Sequence, residues 1–209
     1  MQPPRAPNVT AMTLGHSAAR PDAPDAACTT LDEGLRVRGV WILSVFAVVW
    51  SAVAASGLSE TGASVAALPS AVAAVVVSLV LVMLARRSTR DPALARARRL
   101  PSWWSRGVAA VNVAQLLVIA VVAIGLTRGD QAAYIPAAVA VVVGLHFLPL
   151  ATAFDQRQYR GTAVALVLVG LGGATMVLAG AENVVVQAAV GYASAVVLWC
   201  SAAHVAMRN

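Results

Sequence analysis

The chain has 209 residues, of which 59% are hydrophobic and 11% are charged, and its mean hydropathy is +0.77. This composition excludes an ordinary water-soluble globular protein, in which about a quarter of the residues are charged. The net charge is +6, and all 15 basic residues are arginine. The sequence therefore predicts a protein embedded in lipid.

The first 34 residues lack apolar periodicity and contain five of the ten prolines. Such a segment cannot bury enough apolar surface to offset the entropy lost on ordering. We predict that residues 1–34 form a disordered cytoplasmic tail, with Met12 as an alternative start, and that residues 35–209 form a transmembrane domain. Cys28 and Cys200 are too far apart in sequence to make a metal signature, and we expect no disulfide between them.

Six apolar runs follow the tail, each long enough to cross the bilayer as a helix of about 20 residues. They cover approximately residues 39–57, 68–85, 107–127, 131–151, 161–180 and 183–207. Lipid offers no partner for backbone N–H and C=O groups, and the runs are too long for barrel strands. The sequence therefore predicts an all-α, six-helix transmembrane bundle.

The first run has a second interpretation. Arg36 and Arg38, an apolar stretch and the small residues 51–56 have the order of a secretory signal with a cleavage site. Cleavage there would leave five helices. The basic segment that leads this run is long for a signal, which favours a retained first helix.

The arginines predict the orientation, because positively charged flanks are retained in the cytoplasm. One side of the six runs carries nearly all of the flanking arginines, whereas the other side carries Arg128 together with Glu60, Asp130 and Glu182. We therefore expect a multi-pass protein of the bacterial cytoplasmic membrane with both termini inside.

The basic cytoplasmic loop 86–106 holds seven arginines and one aspartate. We predict a short helix from Asp91 to about Leu100, ended by Pro101, with tryptophans at headgroup depth. The loop is interpreted as a topology determinant or as a site for anionic lipid headgroups, and nucleic acid is not an expected partner because no folded basic domain accompanies the charge. The candidate lipid-binding residues are Arg86, Arg87, Arg90, Arg96, Arg98, Arg99, Trp103, Trp104 and Arg106.

No sequence motif of a hydrolase, metalloenzyme or nucleotide-binding enzyme occurs in the chain. The six runs also lack the intramembrane carboxylates that commonly carry proton and cation transport. We expect no enzymatic activity, catalytic residue, metal or cofactor.

Polar side chains within the runs identify one candidate pocket. Asn112 and Gln115 are three residues apart, hence on one face of the third helix, and His146 on the fourth helix lies at similar depth. Ser44 on the first helix shares that depth. A pocket that binds or passes a small molecule and an ordinary helix contact, with the imidazole bonded to Asn112 or Gln115, are both consistent with this pattern.

The surroundings of His146 also favour close helix packing. Ala140 and Gly144 form a small-xxx-small pair, and Pro149 removes one intrahelical hydrogen bond. In the fifth run, small residues including Gly170, Gly172 and Gly173 predict helix contacts. Trp50 and Trp199 lie too deep for an interfacial belt, so we interpret both as packing residues.

The stretch Gly144-Leu-His-Phe-Leu-Pro-Leu-Ala151, followed by Tyr159 and a glycine-rich run, resembles a segment shared by small bacterial integral membrane proteins of unknown function. The resemblance covers about 35 residues. It implies a multi-helix inner-membrane protein and supplies no catalytic residue.

Three classes of function follow from the sequence. The first is a non-enzymatic protein that binds or passes a small molecule through a cytoplasm-facing pocket around Asn112, Gln115 and His146. The second is a structural or regulatory component that binds anionic lipid or a membrane protein through loop 86–106. An intramembrane enzyme is disfavoured because no nucleophile, metal set or carboxylate pair is visible.

Overall fold

A computed structural model describes residues 23–60, 64–88, 104–153 and 158–207. These residues form six long helices and one turn of 3-10 helix, and they contain no strand. The helices are α1 (Ala23–Glu60), α2 (Ser64–Ser88), α3 (Trp104–Arg128), α4 (Ile135–Ala153), α5 (Gln158–Leu178) and α6 (Asn183–Met207), with the 3-10 turn at Ala132–Tyr134 before α4.

All six helices are long and apolar enough to cross a membrane, which confirms the predicted six-helix bundle. The spans are Val37–Leu58, Ala67–Arg87, Arg106–Arg128, Ala132–Thr152, Gln158–Leu178 and Asn183–Met207. Their ends agree with the predicted runs to within three residues.

Helix α1 begins at Ala23, within the segment predicted to be a tail. Pro24 falls in the first turn of the helix, where a missing backbone N–H leaves no hydrogen bond unmade. Helix propagation from the apolar span costs little once the helix exists. Residues 23–34 are therefore helical, and the rest of the predicted tail lies outside the described residues.

The ends of the basic loop are also helical. Arg86 and Arg87 lie in the last turn of α2, where cations complement the helix dipole, and Trp104 begins α3. The connection between α2 and α3 is therefore shorter than predicted. The predicted helix from Asp91 to Leu100 lies outside the described residues.

Two sharp turns end α3 and α5 in the same way. Asp130 has φ 55° and Gly180 has φ 80°. After α3, Gln131 N–H donates to the Leu126 carbonyl at 2.8 Å, and after α5, Ala181 N–H donates to the Met176 carbonyl at 3.0 Å. This is the Schellman arrangement, which satisfies carbonyls at a helix end and needs one residue in the left-handed region.

Helix α6 is the centre of the bundle and packs most extensively against α1. A Cβ on Gly191 would lie 2.9 Å from the Trp50 carbonyl oxygen, and a Cβ on Gly57 would lie 2.9 Å from the Val184 carbonyl oxygen. The two backbones therefore approach each other at positions where no side chain fits. The buried hydrophobic residues of α1 run from Val40 to Ala55 and so include part of the stretch 51–56, which makes the first helix part of the core.

Helices α4 and α5 form the second close pair. A Cβ on Gly144 would lie 2.9 Å from the Ala163 carbonyl oxygen, and one on Gly170 would lie 2.6 Å from the Ala137 carbonyl oxygen. Gly172 faces open space. The predicted packing role is thus correct for Gly170 and wrong for Gly172.

Side-chain hydrogen bonds join α6 to three neighbouring helices. Each bond gives a polar side chain within the membrane spans a hydrogen-bonding partner on a neighbouring helix. The bonds run from Gln187 Nε2 to the Val53 carbonyl (2.9 Å) and Ser56 Oγ (2.8 Å), from Tyr192 Oη to Ser70 Oγ (2.8 Å), from Trp199 Nε1 to Ser78 Oγ (3.1 Å), and between Ser201 Oγ and Thr162 Oγ1 (2.6 Å).

Helix α3 stands apart from this core. Its one extensive helix contact is with α4, and no residue in its membrane span is buried. The core cluster is built from the other five helices, with Ile119 packed against it from α3. The space between α1 and α3 is therefore incompletely filled.

Candidate functional site

A cavity of about 260 Å³ lies between α1, α3 and α4, and we call it the His146 cavity. Asn112, Gln115 and His146 all line it, so the structure brings together the three polar residues singled out in the sequence. The remaining lining is mostly apolar or aromatic and consists of Gly39, Ile42, Leu43, Phe46, Val108, Leu116, Val143, Phe147, Leu150, Tyr159 and Leu198.

Helix periodicity explains how these polar groups meet. Asn112 and Gln115 lie on one face of α3, and α4 packs against α3 so that His146 faces the same space. The His146 imidazole lies near the backbone of Val111, and no hydrogen bond joins it to the side chain of Asn112 or Gln115. The two amide side chains are therefore not engaged by His146.

Aromatic rings form one wall of the His146 cavity. Phe147 and Tyr159 have ring centroids 5.7 Å apart, and the His146 and Phe147 rings are 6.1 Å apart in an edge arrangement. Both Phe147 and Tyr159 are buried. Ring pairs of this geometry hold their side chains in place, which gives the cavity a preformed wall.

A second cavity of about 570 Å³ lies at the other end of the same interhelical space, and we call it the Gln187 cavity. Its polar lining is Gln115, Asn183 and Gln187, while the apolar lining includes Trp50 and Ile119. Cavities of roughly 300–1,000 Å³ are typical of small-molecule sites. This cavity was not predicted from the sequence, although Asn183 and Gln187 in the first two turns of the last span are a visible signal.

Gln187 is held in one orientation. Its Nε2 donates to the Val53 carbonyl and to Ser56 Oγ, both on α1. A carbonyl can only accept a hydrogen bond, so the nitrogen must face α1 and Oε1 is the atom left for a ligand. Gln187 therefore offers the cavity an acceptor.

The two cavities share four lining residues, Phe46, Gln115, Leu116 and Val143. They are adjacent compartments of one cleft, with α1 on one side, α3 on the other and α4 at the base. The combined lining contains no Asp, Glu or Arg. A ligand with a net charge would find no opposite charge in the cleft, which is costly at membrane depth.

The other polar residues of interest lie outside the cleft. Ser44 is buried in the contact between α1 and α2, where its carbonyl accepts from Ser78 Oγ at 3.3 Å. Among the described residues, the Oγ atoms of Ser44 and Ser194 have no hydrogen-bond partner. Trp50 is buried, in agreement with a packing role, and also lines the Gln187 cavity, whereas Trp199 bonds to α2.

The predicted lipid-binding residues are only partly described. Arg86, Arg87 and Arg106 are exposed at the connected ends of α2 and α3. Trp104 is the first residue of α3. Arg90, Arg96, Arg98, Arg99 and Trp103 lie outside the described residues. Within the described part of the chain, no group of three or more His, Cys, Asp or Glu residues is placed to hold a metal ion.

No protein-family model, no curated protein and no solved structure matches this chain. The cleft and the distribution of charge are therefore the features from which a function can be inferred.

Proposed function

We propose that the chain is a membrane protein that binds a small, neutral, largely apolar molecule in the His146 cavity. The observation that carries the proposal is the convergence of Asn112, Gln115 and His146 from two helices onto one uncharged, mostly apolar cavity. Apolar walls with a few convergent polar groups are the usual composition of a small-molecule site. The apolar body of the ligand fills the cavity, and its polar group bonds to the amide or imidazole side chains.

Thermal unfolding of the purified protein in detergent tests this proposal. The probe is 1-naphthol, a neutral aromatic molecule with one hydroxyl group, and the anionic counterpart is 1-naphthalenesulfonate. We expect 1-naphthol to raise the unfolding midpoint of the wild type, and to raise the midpoints of Asn112→Ala and His146→Ala by less. The sulfonate should leave the midpoint of the wild type unchanged.

Val118→Ala is the matched control for these variants, because Val118 is exposed on α3 and lines neither cavity. It should respond to 1-naphthol as the wild type does. Equal shifts in all variants, or an equal response to the sulfonate, would contradict a site at His146.

The same proposal includes a location and an orientation. We infer that the protein lies in the bacterial cytoplasmic membrane with both termini and the 86–106 segment inside. Arg38, Arg86, Arg87, Arg106 and Arg160 flank the spans on one side, and positive flanks are retained in the cytoplasm. The His146 cavity lies toward this end, since it includes Gly39 and Val108 near the beginnings of their spans.

Cysteine labelling of intact cells with a membrane-impermeant maleimide tests the orientation. In a background without Cys28 and Cys200, we expect Asp130→Cys to be labelled from outside. Arg160→Cys should be labelled only after the cells are opened. Both parent residues are exposed near helix ends, and the reverse pattern would contradict the orientation.

A second candidate function is binding of anionic lipid at the arginine-bearing end. It is favoured by the exposure of Arg87 and Arg106 at the connected ends of α2 and α3. Each such charge near an anionic surface contributes about 1 kcal/mol. Phosphatidylglycerol in the micelles should raise the unfolding midpoint of the wild type. The rise should be smaller in the double variant Arg87→Gln/Arg106→Gln. Arg128→Gln, at the opposite end of the bundle, should respond as the wild type does. Indifference of the wild type to phosphatidylglycerol would remove this candidate.

A further inference from the structure

The cleft between α1 and α3 extends across most of the membrane. It includes Gly39 at one end of the α1 span and Val53 toward the other. At 1.5 Å per helical residue these two positions are about 21 Å apart along the helix. One leaflet accounts for roughly half of a 30 Å hydrocarbon core, so the cleft passes the bilayer midplane.

The polar groups in the cleft are distributed along its length. Asn112 and His146 lie in the His146 cavity, Gln115 lies where the two cavities meet, and Asn183 and Gln187 lie in the Gln187 cavity. Amide groups both donate and accept hydrogen bonds without carrying charge. A neutral lipid head group with hydroxyls would find a hydrogen-bonding partner in the His146 cavity, at the junction of the two cavities and in the Gln187 cavity.

The wall formed by α3 has few constraints. Apart from its contact with α4, α3 makes no extensive contact with another helix, and none of its span is buried. The helix can therefore move relative to α1 without opening the core of the other five helices. Because α1 and α3 do not pack along their length, the cleft also borders on the surrounding lipid.

We propose that the two cavities form one path by which a lipid with a neutral, hydroxyl-bearing head group crosses between the leaflets. The head group passes Asn112, Gln115 and Gln187 in turn while the acyl chains remain in the bilayer. The proposed constriction of the path is the junction of the two cavities, which is lined by Phe46, Gln115, Leu116 and Val143. This inference rests on the proposed function, because the path begins in the His146 cavity.

A vesicle assay tests the path. The purified full chain is reconstituted with glucosylceramide that carries an NBD fluorophore, and dithionite bleaches the probe in the outer leaflet. We expect wild-type vesicles to lose nearly all fluorescence, whereas protein-free vesicles keep the inner-leaflet signal. NBD-labelled phosphatidylglycerol, an anionic lipid, should cross much more slowly.

Two variants act on the constriction in opposite directions. Gln115→Trp should block the path and return the signal toward that of protein-free vesicles, and Phe46→Ala should widen the path and accelerate bleaching. The matched control is Leu117→Trp, which places the same side chain at the neighbouring residue; Leu117 is exposed and lines neither cavity. It should behave as the wild type does.

Three outcomes would overturn the inference: bleaching that stops at the protein-free level in wild-type vesicles, equal activity of Gln115→Trp and the wild type, or equal rates for the two lipids. The 1-naphthol experiment distinguishes failure of the lipid path from failure of the proposed binding site. If 1-naphthol stabilises the wild type through Asn112 and His146 but no lipid crosses, the His146 cavity is a closed site. If neither result is obtained, both proposals are wrong.

Discussion

The hydroxyl oxygens of Thr162 on α5 and Ser201 on α6 lie 2.6 Å apart and form a hydrogen bond between two helices at membrane depth. Each hydroxyl also has a carbonyl of its own helix within reach, Gln158 at 3.2 Å from Thr162 and Val197 at 2.9 Å from Ser201. Because a hydroxyl carries one proton, one of the two donates to the other, and the accepting hydroxyl donates to the carbonyl of its own helix. The pair therefore links the side chain of one helix, through the hydroxyl of the other, to the backbone of that other helix.

A double-mutant cycle of Thr162→Val and Ser201→Ala should give a coupling free energy of about 0.6 kcal/mol, the average for such bonds in membrane helices. The measurement is the free energy of unfolding in detergent for the wild type, both single variants and the double variant. The control is Thr175→Val, because the Thr175 hydroxyl bonds within α5. Its effect on the free energy of unfolding should add to that of Ser201→Ala without coupling. Coupling of equal size in the two cycles would argue against a specific interhelical bond.

Gly170→Ala should destabilise the bundle by about 1–3 kcal/mol, because the new Cβ would overpack the α4 backbone. Gly172→Ala is the matched control two residues away, where a Cβ meets open space. It should be neutral or more stable by up to about 1 kcal/mol, since alanine is the better helix former. Denaturant unfolding in detergent measures both, and similar effects would disprove the close approach of α4 and α5.

The two Schellman turns predict opposite effects of a glycine exchange. Asp130→Gly should stabilise the protein by about 1 kcal/mol, because a side chain in the left-handed region is strained and glycine is not. Gly180→Ala should cost about the same amount. The free energies of unfolding are the readout, and effects of equal sign would contradict the two turn geometries.

Gln187→Leu should destabilise the protein by about 0.5–1.5 kcal/mol, because it removes two hydrogen bonds between α6 and α1, while the Val53 carbonyl keeps the bond from Ser56 Oγ at 2.8 Å. Gln131→Leu is the comparison at an exposed residue and should change stability by less than about 0.5 kcal/mol. The unfolding midpoints of the two variants report the difference. A stable Gln187→Leu would show that α1 and α6 are held by packing alone.

The six helices could be predicted from the sequence because the requirement for about 20 apolar residues leaves few alternatives. The shared location of Asn112, Gln115 and His146 was also predictable, since helix periodicity and depth are both encoded in the order of residues. The position of the His146 imidazole near the backbone of Val111 was not, because a backbone neighbour has no sequence signal. The Gln187 cavity was missed for a related reason: it depends on how far α3 stands from α1, and no pattern of Ala and Val determines that separation.

The separation of α3 from the core also has an evolutionary consequence. In a tightly packed bundle, a substitution that alters a binding site usually disturbs the residues that hold the fold together, and so stability restricts divergence. Here Asn112, Gln115 and Leu116 face the cleft from a helix that contributes no buried residue to its span. Selection can therefore change the chemistry of one wall of the cleft while the five-helix core is preserved, and we expect specificity among descendants of this chain to diverge first along α3.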